Sequence, residues 1–192
     1  DDICNTAGRP ISQTDVSIRR VADNALAAIN EVGEICARGP SAMIGYHGND
    51  AATTETLDRD GWLHTGDLGT MDERGYVRIT GRVKEMIIRG GENHFPAEIE
   101  NALLEHPDVA EVAIIGLPDE KLGEIIACFI RTEENRALDK QVLHLHCRTS
   151  LAPQKTPAVW CQVETFPLTG SGKIRKFTLR EGYLSGLYSA VE

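Results

Sequence analysis

Apolar and polar positions alternate in short runs through the first part of the chain. Val16 and Ile18 fall on one face of Asp15–Arg20 with polar neighbours between, the period-2 pattern of a half-buried strand. Glu34–Arg38 continues that pattern after Gly33, and Gly39-Pro40 ends it. Ala51–Leu57 reads as a short helix capped by Asn49 or Asp50. Trp62-Leu63-His64 and Leu68–Met71 read as two short strands on either side of a Thr65-Gly66-Asp67 turn. Asp72–Gly75 is a turn into a further strand, Tyr76–Thr80. Short strands broken repeatedly by glycine predict a β-rich unit of distorted-barrel type.

The pattern then changes to strands alternating with helices. Glu85–Arg89 is a short apolar strand. Pro96 suits a first helical position, Glu98 and Glu100 follow in the electropositive first turn, and His106-Pro107 stops the helix. Val109–Leu117 and Glu124–Arg131 read as neighbouring strands joined by a turn at Pro118-Asp119-Glu120. Asp139 can cap a helix with the stripes Leu138, Val142, Leu145 and Leu143, Cys147, Leu151, which Pro153 ends. Trp160–Val163 is a last strand, followed by a glycine-rich loop and a short basic helix over Ile174–Arg180. This half predicts a small α+β domain, a mixed sheet with flanking helices.

Composition sharpens the division. All six lysines lie beyond residue 81, so the cations of the first stretch are arginines alone. The shift places a junction near residues 81–84 and domains at 1–82 and 83–192. Hydrophobic residues are 41% of the 192 and charged residues 26%, as in a folded globular protein. Twenty Lys and Arg stand against 29 Asp and Glu, a formal charge of −9, which argues against a general nucleic-acid binder. No apolar run reaches the roughly 20 residues of a membrane helix. The chain opens Asp1-Asp2-Ile3 without a Met or a signal peptide, which reads as a cut rather than a natural start.

Five widely spaced cysteines (Cys4, Cys36, Cys128, Cys147, Cys161) show no CxxC pair and read as free thiols in a reducing cytoplasm. His144 and Cys147 share a helical spacing that a metal could use, but no second ligand pair sits at zinc-like spacing. No metal ligand is therefore assigned.

Four segments are too glycine-rich and polar to be scaffold alone. In Trp62–Gly69, Asp67 on a tight turn could accept two hydrogen bonds from a vicinal diol, or simply cap its own turn. In Gly81–Glu85, Arg82 offers planar donors suited to a phosphate, and Lys84 stands where a linker would bend; taken alone, the stretch reads better as a solvated charge run. In Arg89–Pro96, Gly90 and Gly91 permit close approach of a ligand, or merely shape a strand-to-helix loop. In Phe166–Lys176, Lys173 on a glycine-rich loop could deliver a mobile cation to an anionic transition state. A Walker A loop fails here. Pro167 stands where its first Gly belongs, and Ile174 where Ser or Thr must follow the Lys.

The ordered set of four resembles the AMP-forming adenylating enzymes: acyl-CoA synthetases, luciferases and the adenylation domains of peptide synthetases. The resemblance runs from about Gly8-Arg9-Pro10 to about Glu181 and includes Gly33-Glu34-Ile35 and Arg38-Gly39-Pro40 with Gly45-Tyr46. Gly90-Gly91-Glu92-Asn93 and Pro167–Ile174 look most like the fatty-acyl and related acyl-CoA ligases. It implies a two-step ligase. A carboxylic, fatty or medium-chain acid attacks the α-phosphate of Mg2+-ATP to give acyl-adenylate and pyrophosphate; coenzyme A then displaces AMP. It further implies that Asp67 binds the ribose hydroxyls and Arg82 contacts the nucleotide. Lys84 would be the hinge for domain alternation, Lys173 the catalytic lysine of the first step, and Gly90 and Gly91 would face the pantetheine tunnel.

Two departures qualify the resemblance. After Gly91-Glu92-Asn93 the family usually has an aliphatic residue, where this chain has His94, read as a pocket-edge position. The family's phosphate loop, adenine-stacking segment, Mg2+ ligands and acyl pocket have no counterpart here. Residues 1–82 are therefore expected to be the last subdomain of a large domain, and 83–192 the mobile small domain. The isolated chain is expected not to adenylate, and the longer parent to be cytoplasmic, with membrane association as the alternative. Competing readings are an acyl-AMP ligase that loads a carrier protein, and a standalone interaction module.

Overall fold

A computed structural model describes residues 6–191. Cys4 and the opening Asp1-Asp2-Ile3 lie outside the described residues. The chain divides into two compact units, Asp1–Lys84 and Glu85–Glu192. The architecture is α+β throughout, and no helix among the described residues is long and apolar enough to cross a membrane.

The first unit is an antiparallel meander of β1 (Asp15–Arg19), β2 (Gly33–Arg38), β3 (Leu63–Met71) and β4 (Val77–Arg82), in that spatial order. A short helix, α1 (Asp50–Thr56), precedes β3 and is capped by Asn49, whose side chain accepts the N–H of Ala52 at 3.0 Å. The distortion expected of this sheet is concentrated in bulges. Ile35 of β2 alone stands opposite Thr65, Gly66 and Asp67, between the pairs Cys36–His64 and Glu34–Leu68. Trp62–Met71 is therefore not two strands around a turn. β3 runs unbroken from Leu63 to Met71, with Gly66 taking φ 73° inside the bulge. Gly69 is a glycine for a steric reason: a Cβ there would meet the Arg78 carbonyl oxygen at 2.5 Å. The buried apolar set is small: Ile18, Cys36, Leu68 and Val77.

A single 3-10 turn, Val83–Glu85, carries the chain from the first unit into the second, where an unbroken strand from Glu85 was expected. β5 is accordingly only Ile87–Arg89. It forms a hairpin with β6 (Glu92–His94), a strand read as loop from the sequence. Then follow α2 (Pro96–Leu104), β7 (Val109–Asp119), β8 (Gly123–Thr132), α3 (Lys140–Ser150), β9 (Val159–Gln162) and α4 (Lys176–Leu184). The sheet runs β6-β5-β8-β7, with β9 added parallel to β8, so it is mixed. β7 extends through Pro118, which sits on an edge strand where a missing N–H is tolerated.

β7 and β8 read as almost continuous apolar runs because both of their faces are covered. Val112, Ile114, Ile126, Cys128 and Ile130 pack on one side with Ile99 and Leu103 of α2 and Leu143 and Cys147 of α3. Ala113, Ile115, Leu117, Ala127 and Phe129 pack on the other with Leu179 of α4. Asp139 caps α3 through Gln141 and Val142 N–H at 3.0 and 3.1 Å. Of the two stripes expected on α3, Leu143 and Cys147 are buried, while Leu145 of the other stripe is 65% exposed. α4 begins at Lys176 rather than Ile174, because Ile174 is held in a β-bridge with Leu168.

Candidate functional site

In the first unit, the bulge of β3 presents Asp67. Its geometry is set by three hydrogen bonds. Gly66 N–H donates to Glu34 Oε1 at 2.9 Å, Thr65 Oγ1 donates to the Ile35 carbonyl at 2.7 Å, and Asp67 N–H donates to Thr65 Oγ1 at 3.1 Å. Asp67 pairs in register with Arg82 of β4, and Arg82 Nε lies 3.1 Å from Asp67 Oδ1. Both side chains are accessible, 35% and 60%, so this is a surface pair worth about 0–1 kcal/mol. A weakly paired carboxylate beside a guanidinium can accept hydroxyl donors while the arginine meets a neighbouring anion. Lys84 is the middle residue of the 3-10 turn and the last of the first unit.

In the second unit, Gly90 and Gly91 are the two central residues of the β5–β6 hairpin, between the paired Arg89 and Glu92. Their φ angles of 60° and 84° fit the type I′ turn, which needs left-handed backbone at both positions. The sequence reading missed this reason for the glycine pair. Space is left as well: a Cβ on Gly91 would meet nothing within 4 Å.

His94, read as a pocket-edge position, is a buried residue. It is 2% exposed on β6, and neither ring nitrogen has a hydrogen-bond partner among the described residues. Burial holds its pKa below the ordinary histidine value, outweighing the opposing pull of Glu92.

Lys173 sits on an ordered loop rather than a loose one. Thr169 N–H donates to the Lys173 carbonyl at 2.8 Å, Gly172 N–H to the Thr169 carbonyl at 2.9 Å, and Lys173 N–H to Thr169 Oγ1 at 3.0 Å. Gly172 supplies the left-handed residue, φ 81°, and the Lys173 side chain is exposed. Three residues on, Lys176 Nζ lies 2.7 Å from Glu85 and 2.8 Å from Glu100, fastening the base of the loop to the start of the unit and to α2. The sequence reading missed this anchor, because Glu85, Glu100 and Lys176 meet only in the fold.

The cysteines Cys36, Cys128, Cys147 and Cys161 are free and buried. Burial pushes the Cys36 thiol up to about 12 and those of Cys147 and Cys161 to about 11, and holds Cys128 well above the ordinary thiol value, so all four are neutral thiols. Of the pair His144 and Cys147, the first is exposed and the second buried.

Residues 98–173 match the family described as AMP-binding enzyme C-terminal domain. The chain is 41% identical over 176 residues to the human medium-chain acyl-CoA ligase ACSF2, mitochondrial, covering 92% of this chain and 29% of that protein. It superposes on ATP-bound MatB from Rhodopseudomonas palustris with a TM-score of 0.87 at 31% identity, over 93% of this chain and 36% of that one. For the o-succinylbenzoate CoA synthetase MenE of Bacillus subtilis, in complex with the acyl-adenylate OSB-AMP, the values are 0.84 and 33%, over 92% and 36%. The chain thus spans about a third of the length of the relatives it matches.

Proposed function

We propose a role for this chain as a member of the AMP-forming adenylating enzymes, to which its C-terminal domain and its acyl-CoA ligase relatives assign it. The chain is the C-terminal part of an ATP-dependent acyl-CoA ligase. Residues 1–82 close the large adenylating domain and 83–192 form the domain that moves. The observation that carries this reading is the Thr169–Lys173 loop, an ordered turn with an exposed lysine, in a chain so similar to such ligases.

In the first half-reaction a carboxylate oxygen bonds to the α-phosphorus of ATP and pyrophosphate leaves. Both reactants are anionic. Lys173 supplies a cation between them where negative charge gathers in the transition state. Asp67 accepts the ribose hydroxyls and Arg82 contacts the nucleotide. The Mg2+ that accompanies ATP is assigned no ligand in this chain. In the second half-reaction the thiol of coenzyme A attacks the acyl carbon and AMP leaves. Rotation about Lys84 withdraws Lys173 and brings the Gly90-Gly91 turn to the pantetheine, whose passage the missing side chains leave open. The acid is fatty or medium-chain, the latter supported by the name of the human relative, and the free thiols support a reducing compartment such as the cytoplasm.

The test uses the longer protein that contains this chain. Lys173→Ala should abolish acid-dependent ATP–pyrophosphate exchange and spare CoA thiolysis of supplied acyl-adenylate. Equal loss of both half-reactions would overturn the role of Lys173. The 192-residue chain by itself should show no exchange.

A further inference from the structure

Glu34 and Cys36 stand two apart on β2, so their side chains leave the same face of the sheet. β3 places His64 in register opposite Cys36. His64 Nδ1 then lies 2.8 Å from Glu34 Oε2 and 3.5 Å from Cys36 Sγ. One ligand-capable atom from each of the three lies within 4.8 Å of the others. Behind the ring, His64 Nε2 is 3.7 Å from Asp58 Oδ2. Asp58 is itself fixed by the N–H groups of Asp60 and Trp62, at 2.9 and 2.8 Å.

We propose that Glu34, Cys36 and His64 form a binding site for one divalent ion of the zinc class, with water as the fourth ligand. The donor set is one sulfur, one imidazole nitrogen and one carboxylate oxygen, which suits zinc and excludes magnesium and calcium, which take oxygen ligands. The spacing fits. In a tetrahedral zinc site the sulfur and nitrogen ligands stand about 3.5 Å apart, as Cys36 Sγ and His64 Nδ1 already do. Oxygen and nitrogen ligands stand about 3.3 Å apart, so Glu34 Oε2 must withdraw by roughly 0.5 Å.

The surroundings are also those of a metal site. A ligating histidine turns its second ring N–H to a carboxylate, and Asp58, at 3.7 Å, need close by only about 0.7 Å to accept it. Glu34 Oε1 is held by Gly66 N–H at 2.9 Å, which orients the carboxylate. On binding, the metal–sulfur bond forms as the Cys36 thiol releases its proton to solvent. The ion ties β2 to β3 at the bulge that presents Asp67. The site stands on the first unit alone and does not depend on the ligase reading.

The experiment is titration of the 192-residue chain with Co2+, displaced afterwards by Zn2+. Saturation at one equivalent is expected, with a thiolate-to-cobalt charge-transfer band and the visible bands of a tetrahedral ion. Cys36→Ser should remove the charge-transfer band, and Asp58→Asn should weaken binding about 10- to 100-fold. Absence of saturable binding, or a band that survives in folded Cys36→Ser, overturns the site. Should the variants fail to fold, the 113Cd resonance of the unaltered chain decides. A shift typical of one sulfur with nitrogen and oxygen ligands supports the site, and a multi-sulfur or all-oxygen shift overturns it.

Discussion

The ammonium of Lys176 lies 2.8 Å from Glu100 Oε1, and that same oxygen accepts the backbone N–H of Ile114 at 2.8 Å. One carboxylate thus joins α2, β7 and the first turn of α4. Both side chains are about four-fifths buried, 21% and 18% accessible, so the pair is shielded from solvent far better than Asp67–Arg82. Lys176→Met should leave Glu100 and Glu85 facing each other without a cation and destabilise the second unit by about 1–3 kcal/mol in urea. Hydrogen exchange should quicken across 168–175. An unchanged midpoint and unchanged exchange would mean that the loop holds its shape without the anchor.

Asp67 and Arg82 predict the opposite balance. Their pair is exposed, so Asp67→Ala should change stability by less than about 1 kcal/mol. Its effect should appear instead in nucleotide affinity of the longer protein. A stability loss above about 2 kcal/mol with unaltered nucleotide binding would make Asp67 a structural residue of the bulge.

At the hairpin, Gly90→Ala and Gly91→Ala each place a side chain on left-handed backbone and should destabilise by about 1 kcal/mol. Gly90→Asn should be milder, since asparagine tolerates that conformation. Thermal unfolding of the chain measures both. Equal tolerance of alanine and asparagine would contradict the type I′ assignment.

His94 gives a pH dependence whose sign can be worked out. Its folded pKa is lowered, so the unfolded state binds the extra proton first as pH falls. Stability should therefore drop as pH falls below about 6.5, the unfolded value, and be insensitive to this group above it. His94→Leu should remove that part of the slope and, by replacing two unpaired buried nitrogens, raise stability by about 1–3 kcal/mol at pH 6. Urea unfolding at several pH values tests it. A slope unchanged in the variant would assign the dependence elsewhere.

What could be read ahead of the fold was what depends on neighbours in the chain. Pro96 and Asp139 start their helices as expected, because capping is local. β7 and β8 are visible as long apolar runs, because burial on both faces leaves no polar alternation. β6 escaped, since Glu92-Asn93-His94 is short and polar and becomes a strand only by pairing with β5. β3 looked broken because a positive-φ glycine signals a turn in sequence and a bulge in a sheet. At the candidate site, the glycine-rich loop around Lys173 was legible from composition. The Lys176 anchor and the convergence of Glu34, Cys36 and His64 were not, since they depend on strand register and on partners up to 91 residues apart.

The four buried cysteines have a practical corollary. A thiol reagent needs both access and a thiolate, and with no ion bound the fold denies both at Cys36, Cys128, Cys147 and Cys161. One of these sulfurs lies in the first unit, and three lie in the second, on both sides of its sheet. The rate at which each is alkylated therefore times the opening of its own neighbourhood. With the cysteines read separately by mass spectrometry, the protein carries its own set of clocks for whether its two units come apart together or in turn.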